Sequence, residues 1–276
     1  MTIYKTKLSI ILISLILLSV TSVYAQFAGG SGTESDPWQV ATAEQLNQVR
    51  NYPSSHFVQT ADIDLGVAPW NQGSGWVPIC WPEWFRGAYN GNLFTISGLY
   101  INRPSQSGIG LFGGCEGARI KNLIIENANV TGGQSTAALV GYIDSRSTLW
   151  ACRSNGSVAG ARGVGGLVGQ AYGFCEIIAC HSNAVVSGGD WTGGLVGVIN
   201  NECSISASFS VGSVASTGIA GGLVGFITYR SLVVDSYSRS SVTGIGGVGG
   251  LIGKSTMCTI VKCYSTGLVN GSSAGG

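Results

Sequence analysis

The pentapeptide GGLVG stands at 165–169, 193–197 and 221–225, flanked by looser copies: IGLFG at 109–113, AALVG at 137–141 and GGLIG at 249–253. Their leucines (Leu111, Leu139, Leu167, Leu195, Leu223 and Leu251) are each 28 residues from the next. A phosphate-cradling glycine loop occurs once or twice in a chain and follows one strand of a nucleotide fold. Constant spacing over so many copies marks a repeat architecture instead, in which stacked units bury a core that no single unit could bury alone.

Counting from each leucine as zero reveals further columns. Position +19 reads Val130, Val158, Val186, Val214 and Val242, with Val269 one place early. Position +10 reads Leu149, Ile177, Ile205 and Val233, with Ile260 one place early. Position +13 reads Cys152, Cys180, Ser208 and Ser236, then Cys263 one place early, and position +21 is mostly glycine. Each unit thus holds three short apolar segments rich in β-branched residues, with no helical period. The predicted fold is all-β: a single parallel β-helix, or β-solenoid, of 28-residue coils with three short strands each, coils stacked about 4.8 Å apart. Glycines are expected at the corners, for positive φ and close backbone approach. The residues directly after the leucines, Phe112, Val140, Val168, Val196, Val224 and Ile252, defy strict alternation. A bend that turns both neighbours inward is the expected reading; an exposed apolar stripe for a partner is the other.

Residues 1–25 read as a signal peptide: Lys5 and Lys7, the apolar run Leu8–Val20, then a small-x-small site ending at Ala25. The apolar run is short for a membrane span, and no later stretch is long enough to be one. Export, to the medium or the cell surface, follows. Residues 26–108 form an N-terminal cap with opening coils, and 109–276 the repeats. In the cap, TAEQLNQVRN places Ala43, Leu46 and Val49 on one face of a short helix with Thr42 as its cap, while HFVQTADIDL and FTISGLYIN read as strands. The last unit ends on Gly275 and Gly276, the first letters of another motif, so further coils and domains of the same chain are expected beyond them.

Lys plus Arg number 14 against 13 Asp plus Glu, for a net charge of +1, which speaks against nucleic acid as a partner. His56 and His181 are the histidines, neither within H-E-x-x-H, and no C-x-x-C pair occurs, so neither a metal nor any other cofactor is expected. Cys152 with Cys180, and Cys175 with Cys203, occupy equivalent columns; bridged pairs and stacked thiols are both open. A carbohydrate-active β-helix enzyme would need two facing acids, for which Glu176 and Glu202, at +9 and +7 and so near equivalent columns, are the candidate pair. Position +20 lacks the regular threonines of an ice-binding face. The richest contact chemistry is aromatic: Trp70, Trp76, Trp81, Trp84 and Phe85, interleaved with Pro78, Pro82 and glycines. These rings either plug the first coils or stack on sugars; Trp81 and Trp84 are the candidate ligand-binding residues.

The ordered series GSGTESDPWQVATAEQL, FVQTADIDL, WVPI, FRGAYNGNLFTISGLYIN and GLFG, followed by the GGLVG copies, resembles the GLUG-motif repeat family over nearly the whole chain after residue 25. The resemblance implies a right-handed parallel β-helix of the kind found in exported bacterial proteins, often adhesin-like. It also implies a kinship with segments beside the catalytic domains of immunoglobulin-A-specific metallopeptidases. Tyr89-Asn90 departs from the family's usual aromatic-Asp pair, and the WVPICWPEWF loop is unusually rich in tryptophan. The expected function is structural or adhesive, without a catalytic site, toward glycans or host and cell-surface proteins. The alternatives are a polysaccharide lyase or glycosidase-like enzyme, and a non-catalytic arm of a longer surface metallopeptidase.

Overall fold

The computed structural model describes residues 26–275, with side chains placed through Gly271. The expected signal peptide at 1–25 lies outside the described residues. The chain forms a parallel β-solenoid whose three sheets run along its length, of six, nine and thirteen strands among the described residues. One coil shows the plan. Val140–Asp144 lies in the six-stranded sheet (sheet I), Thr148–Trp150 in the nine-stranded sheet (sheet II) and Arg153–Gly165 in the thirteen-stranded sheet (sheet III). The next coil repeats it in register, with Val140 opposite Val168, Leu149 opposite Ile177 and Val158 opposite Val186. Two strands per coil are short, as the apolar segments predict. The third is not: it reaches 13 residues, because pairing continues past the +21 glycine into the approach to the next motif.

The columns form the core. Leu111, Leu139, Leu167, Leu195 and Leu223 are all fully buried, and so are Phe112, Val140, Val168, Val196 and Val224 beside them. The bend reading is therefore the correct one: each motif turns the corner into sheet I, and two successive side chains face inward. Burying a leucine fully contributes about 1.5–3 kcal/mol. Around the last described coil the columns are more open, with Ile260 42% and Val269 37% exposed.

Positive φ falls only partly where the glycine pattern predicts it: Gly117 and Gly173 adopt it at the corner between sheets I and II (62 and 68°), but the motif and +21 glycines do not. The corner between sheets II and III is turned by Asn122, Ala151, Ala179, Ala207, Asp235 and Lys262, all with φ between 47 and 54°. Pairs such as Ser145-Arg146, Asn201-Glu202 and Tyr229-Arg230 turn the corner between sheets I and II. The motif glycines serve close approach instead. A Cβ on Gly197 would fall 2.5 Å from the carbonyl carbon of Gly163 and from the Val164 amide, and one on Gly225 would fall 2.5 Å from Trp191 backbone. The segment leading into each coil thus lies directly against the fifth motif glycine of the following coil. This accounts for a glycine in all six copies at that place, while Ala137 and Ala138 replace the first two in one copy.

Inside the two corners flanking sheet II run ladders of small acceptors. One column runs from Leu123 through Cys152, Cys180, Ser208 and Ser236, and the other from Ala118 through Ser147, Cys175 and Cys203 to Ser231, whose Oγ has no partner among the described residues. The amide of one coil donates to the side chain of the next: Cys152 N to Cys180 Sγ (3.4 Å), Cys180 N to Ser208 Oγ (3.0 Å), Ser208 N to Ser236 Oγ (3.1 Å). In the other column Ala118 N donates to Ser147 Oγ (3.1 Å) and Cys175 N to Cys203 Sγ (3.2 Å). The cysteines are free thiols, stacked rather than bridged. The hydrogen bond to Cys203, with burial, pushes the Cys175 thiol well up, so it stays protonated. Serine and cysteine are interchangeable here because both offer a compact acceptor where an amide has lost its ladder partner. Cys180→Ser should therefore change stability by less than about 1 kcal/mol, while Cys180→Ala leaves the Cys152 amide unpaired and should cost about 1–3 kcal/mol. Urea titrations of both variants check this, and titration of the unfolded, unreduced chain should find all 8 thiols reactive.

The N-terminal end is closed by the short helix Ala43–Gln48. Thr42 Oγ1 accepts from Gln45 N at 3.3 Å, and Gln45 Oε1 accepts from Ala41 N at 2.8 Å, a reciprocal cap. Leu46 and Val49 are fully buried beneath it. Large aromatics fill the first coils: Phe57, Trp76, Phe85 and Tyr89 are buried, and Trp76 Nε1 donates to Leu111 O at 3.2 Å.

Candidate functional site

The tryptophan-rich loop divides between two jobs. Trp76 and Phe85 are core plugs, as the capping alternative requires, and Trp70 packs on Trp76 at 5.4 Å between ring centroids. Trp81 and Trp84 lie outside, on the outer face of sheet I. Here Gly113 and Gly114 of the strand Phe112–Glu116, with Gly108, present bare backbone, and the Trp81 side chain lies across all three, its indole over Gly108 and Gly114 and its Cβ over Gly113. A Cβ on Gly114 would fall 2.8 Å from Trp81 and 3.0 Å from Trp84. Trp81 thus occupies, in this coil, the place that the approach segment occupies over the later glycines. It remains 36% exposed.

Around it stand Trp84 at 5.6 Å, edge-on, and Tyr142 at 6.4 Å; Tyr142 in turn meets Trp84 at 5.6 Å and stacks on Tyr172 at 5.2 Å. Burial, then the nearby Asp144 carboxylate, pushes the Tyr142 hydroxyl well up, so it stays a neutral donor. The arrangement offers an aromatic cluster, its rings set at steep angles to one another, with hydroxyl and carboxylate groups at its border, the chemistry that meets the apolar faces and hydroxyls of a sugar. The sequence reading missed Tyr142 and Tyr172. They occupy the +3 and +5 columns, outward on sheet I, and laying out those columns would have found them. It also missed that Glu116 and Asp144 share +5 and are register partners. Glu116 is held by Arg86 at 2.6 Å, and Asp144 accepts from Ser145 N at 2.6 Å.

Other outward rings spend their faces on each other. His181, Phe209, Tyr237 and Tyr264 form a parallel stack with centroids 4.6, 4.9 and 5.1 Å apart. Burial, then Arg153, holds the His181 imidazole below its usual range. Trp191 is enclosed between Arg162, 3.7 Å above its ring, and Phe226 at 5.5 Å. Glu176 and Glu202 are not brought together as a pair. Glu176 lies opposite Thr148 and Ser204, while Glu202 sits at the preceding corner, 3.9 Å from Arg230. Among the described residues no three His, Cys, Asp or Glu side chains come together in a way that could hold a metal ion.

No family model matches the chain. A stretch of 122 residues, 42% of the chain, is 40% identical to a candidate Gly-rich membrane protein of Evansella cellulosilytica and covers 14% of that protein. A stretch of 132 residues, 44% of the chain, is 35% identical to Halomucin of Haloquadratum walsbyi and covers 1% of it. The chain thus spans only a small part of the curated relatives it matches. Among solved structures, a candidate immunoglobulin A1 protease from Bacteroides ovatus superposes with a TM-score of 0.65 at 20% identity, over 91% of this chain and 87% of that one. An IgA1 protease superposes with a TM-score of 0.66 at 17% identity, over 86% of this chain and 20% of that one. At these identities the likeness is one of fold. No helix among the described residues is long and apolar enough to cross a membrane.

Proposed function

We propose that this chain is a non-catalytic solenoid of an exported surface protein, structural or adhesive in role, whose contact surface is the aromatic face built on Trp81 and Trp84. The observation that carries the reading is the seating of Trp81: its indole rests on a glycine floor, while the stacked rings elsewhere have their faces occupied. A large aromatic held about one-third exposed in one orientation binds at little entropic cost. Glycans are the preferred ligands, and cell-surface proteins that present them the wider class. Membership of the GLUG-motif group belongs to the same proposal and rests on the motif series. The arm of a longer protease is the second form of the reading, supported by the IgA1 protease of which a matching solenoid makes up 20%.

The test is a glycan array probed with the purified chain and with Trp81→Ala and Trp84→Ala variants. Array signals present for the wild type should fall by about tenfold or more in each variant, the loss expected for an aromatic anchor. The melting temperature should move little, because neither ring is in the core. If both variants retain every wild-type signal, the aromatic face is not the contact surface. If they unfold, the two rings are part of the cap.

A further inference from the structure

A second surface, on sheet II, has a different chemistry. The strands His56–Gln59, Ala88–Asn90, Arg119–Lys121 and Thr148–Trp150 follow one another in it. Alternation puts Phe57, Tyr89, Ile120 and Leu149 in the core, each at most 2% exposed. Their neighbours must therefore face out. Register aligns these in two columns: His56, Ala88, Arg119, Thr148 in one, and Val58, Asn90, Lys121, Trp150 in the other. Because position 88 carries only a methyl group, a groove of about 210 Å³ opens there, walled by Glu34 and Pro37 of the N-terminal loop and lined by His56, Arg119 and Lys121.

The charge in the groove is unbalanced. Its acid, Glu34, meets Arg119 at 3.5 Å, but both side chains are more than two-thirds exposed, so the pair is weak and easily displaced. Lys121 has no ion-pair partner among the described residues. One coil further along, about 4.8 Å away, its register partner Trp150 is 46% exposed. Among the described residues no ring or cation stacks on Trp150, unlike Trp191.

We infer that this surface is a binding site for a carboxylated sugar, with the carboxylate held by Arg119 and Lys121 and the pyranose ring laid on Trp150. A simple anion would use the two cations and leave the indole idle, and a neutral sugar would do the reverse. Only a ligand that carries a charge and a flat apolar face within one coil spacing uses both. A long polyanion is disfavoured, since the whole chain carries a net charge of only +1 and so casts no extended positive field. The site is separate from the Trp81 surface, and either can exist without the other.

The test measures binding of the whole chain by calorimetry to oligogalacturonate, glucuronate-containing disaccharides and sialyllactose. Methyl-esterified oligogalacturonate, lactose and inorganic phosphate serve as the comparisons. At least one acidic sugar should bind, and removing its charge should weaken it by about tenfold or more, the worth of one charge-assisted hydrogen bond. Added salt should weaken it too. The paired change Arg119→Met with Lys121→Met, and Trp150→Ala separately, should each lower the affinity by a similar factor. Trp81→Ala should not, which keeps this outcome apart from the fate of the aromatic face on sheet I. All three altered positions face solvent, so unchanged melting temperatures will show that the fold is intact. Failure of every acidic sugar to bind overturns the inference. So does equal binding of the esterified form, or phosphate binding as tightly as the sugars with no effect of Trp150→Ala.

Discussion

Leu195→Ala will destabilise the solenoid by about 2–5 kcal/mol, the range for a leucine deleted from a rigid core. Leu195 is fully buried, with Leu167 and Leu223 in the same column on either side. Its backbone is tied to both neighbouring coils, donating to Leu223 O at 2.9 Å and accepting from Leu167 N at 3.0 Å. The walls of the cavity therefore cannot collapse, and the column loses contacts on two sides at once. Leu251→Ala should cost clearly less, because Leu251 is only partly buried and the coil around it is open. In a stack whose stability is a sum of nearest-neighbour terms, a leucine already partly exposed has less contact with its neighbours to lose. Urea titration of the two variants decides the matter: equal losses would mean that the coils do not behave as a one-dimensional stack.

An effect of similar size from a smaller chemical change is expected at Gly197. The added methyl of Gly197→Ala would meet the Gly163 carbonyl carbon and the Val164 amide at 2.5 Å and Gly169 O at 2.6 Å, all backbone atoms. Side chains in an overpacked core can change rotamer, but these atoms belong to paired strands and cannot. The approach segment would have to lift from sheet I, and pairing such as Val164 with Thr192 would be lost with it. The cost should exceed about 3 kcal/mol, the upper end of ordinary overpacking. Gly73→Ala is the control: its Cβ would find no atom within 4 Å, and its positive φ of 60° adds only about 1 kcal/mol. Comparable unfolding midpoints for Gly197→Ala and the unaltered chain would show that the crossing is not tight.

Much of this molecule was legible before any coordinate. A 28-residue interval leaves few alternatives, because identical apolar columns can be buried together only by stacking them in register, and Val158 does lie opposite Val186. The same logic placed Leu46 and Val49 under the cap. It erred where composition was asked to report conformation. Glycine was assigned to the corners for positive φ, and Gly117 and Gly173 do adopt it there, but at most corners residues such as alanine, asparagine and lysine take that φ instead, held by hydrogen bonds between coils. Repetition lets the chain meet that local cost, since the neighbouring coils hold each corner in the same shape.

The sequence by itself determined the repeat, the three-sheet coil, the inward columns and the single short helix, because these follow from periodicity and local preference. Only the tertiary structure decided which outward residues meet. Trp81 comes from a loop before the first motif and Tyr142 from a strand two coils on, and nothing in their spacing announces that they share a face. Lys121 and Trp150 likewise become neighbours only once the register of sheet II is set, and the small Ala88 opens the groove beside Arg119, on the other side of that strand. Columns are one-dimensional and can be counted; a surface depends on where loops of unequal length return, and that is set by packing.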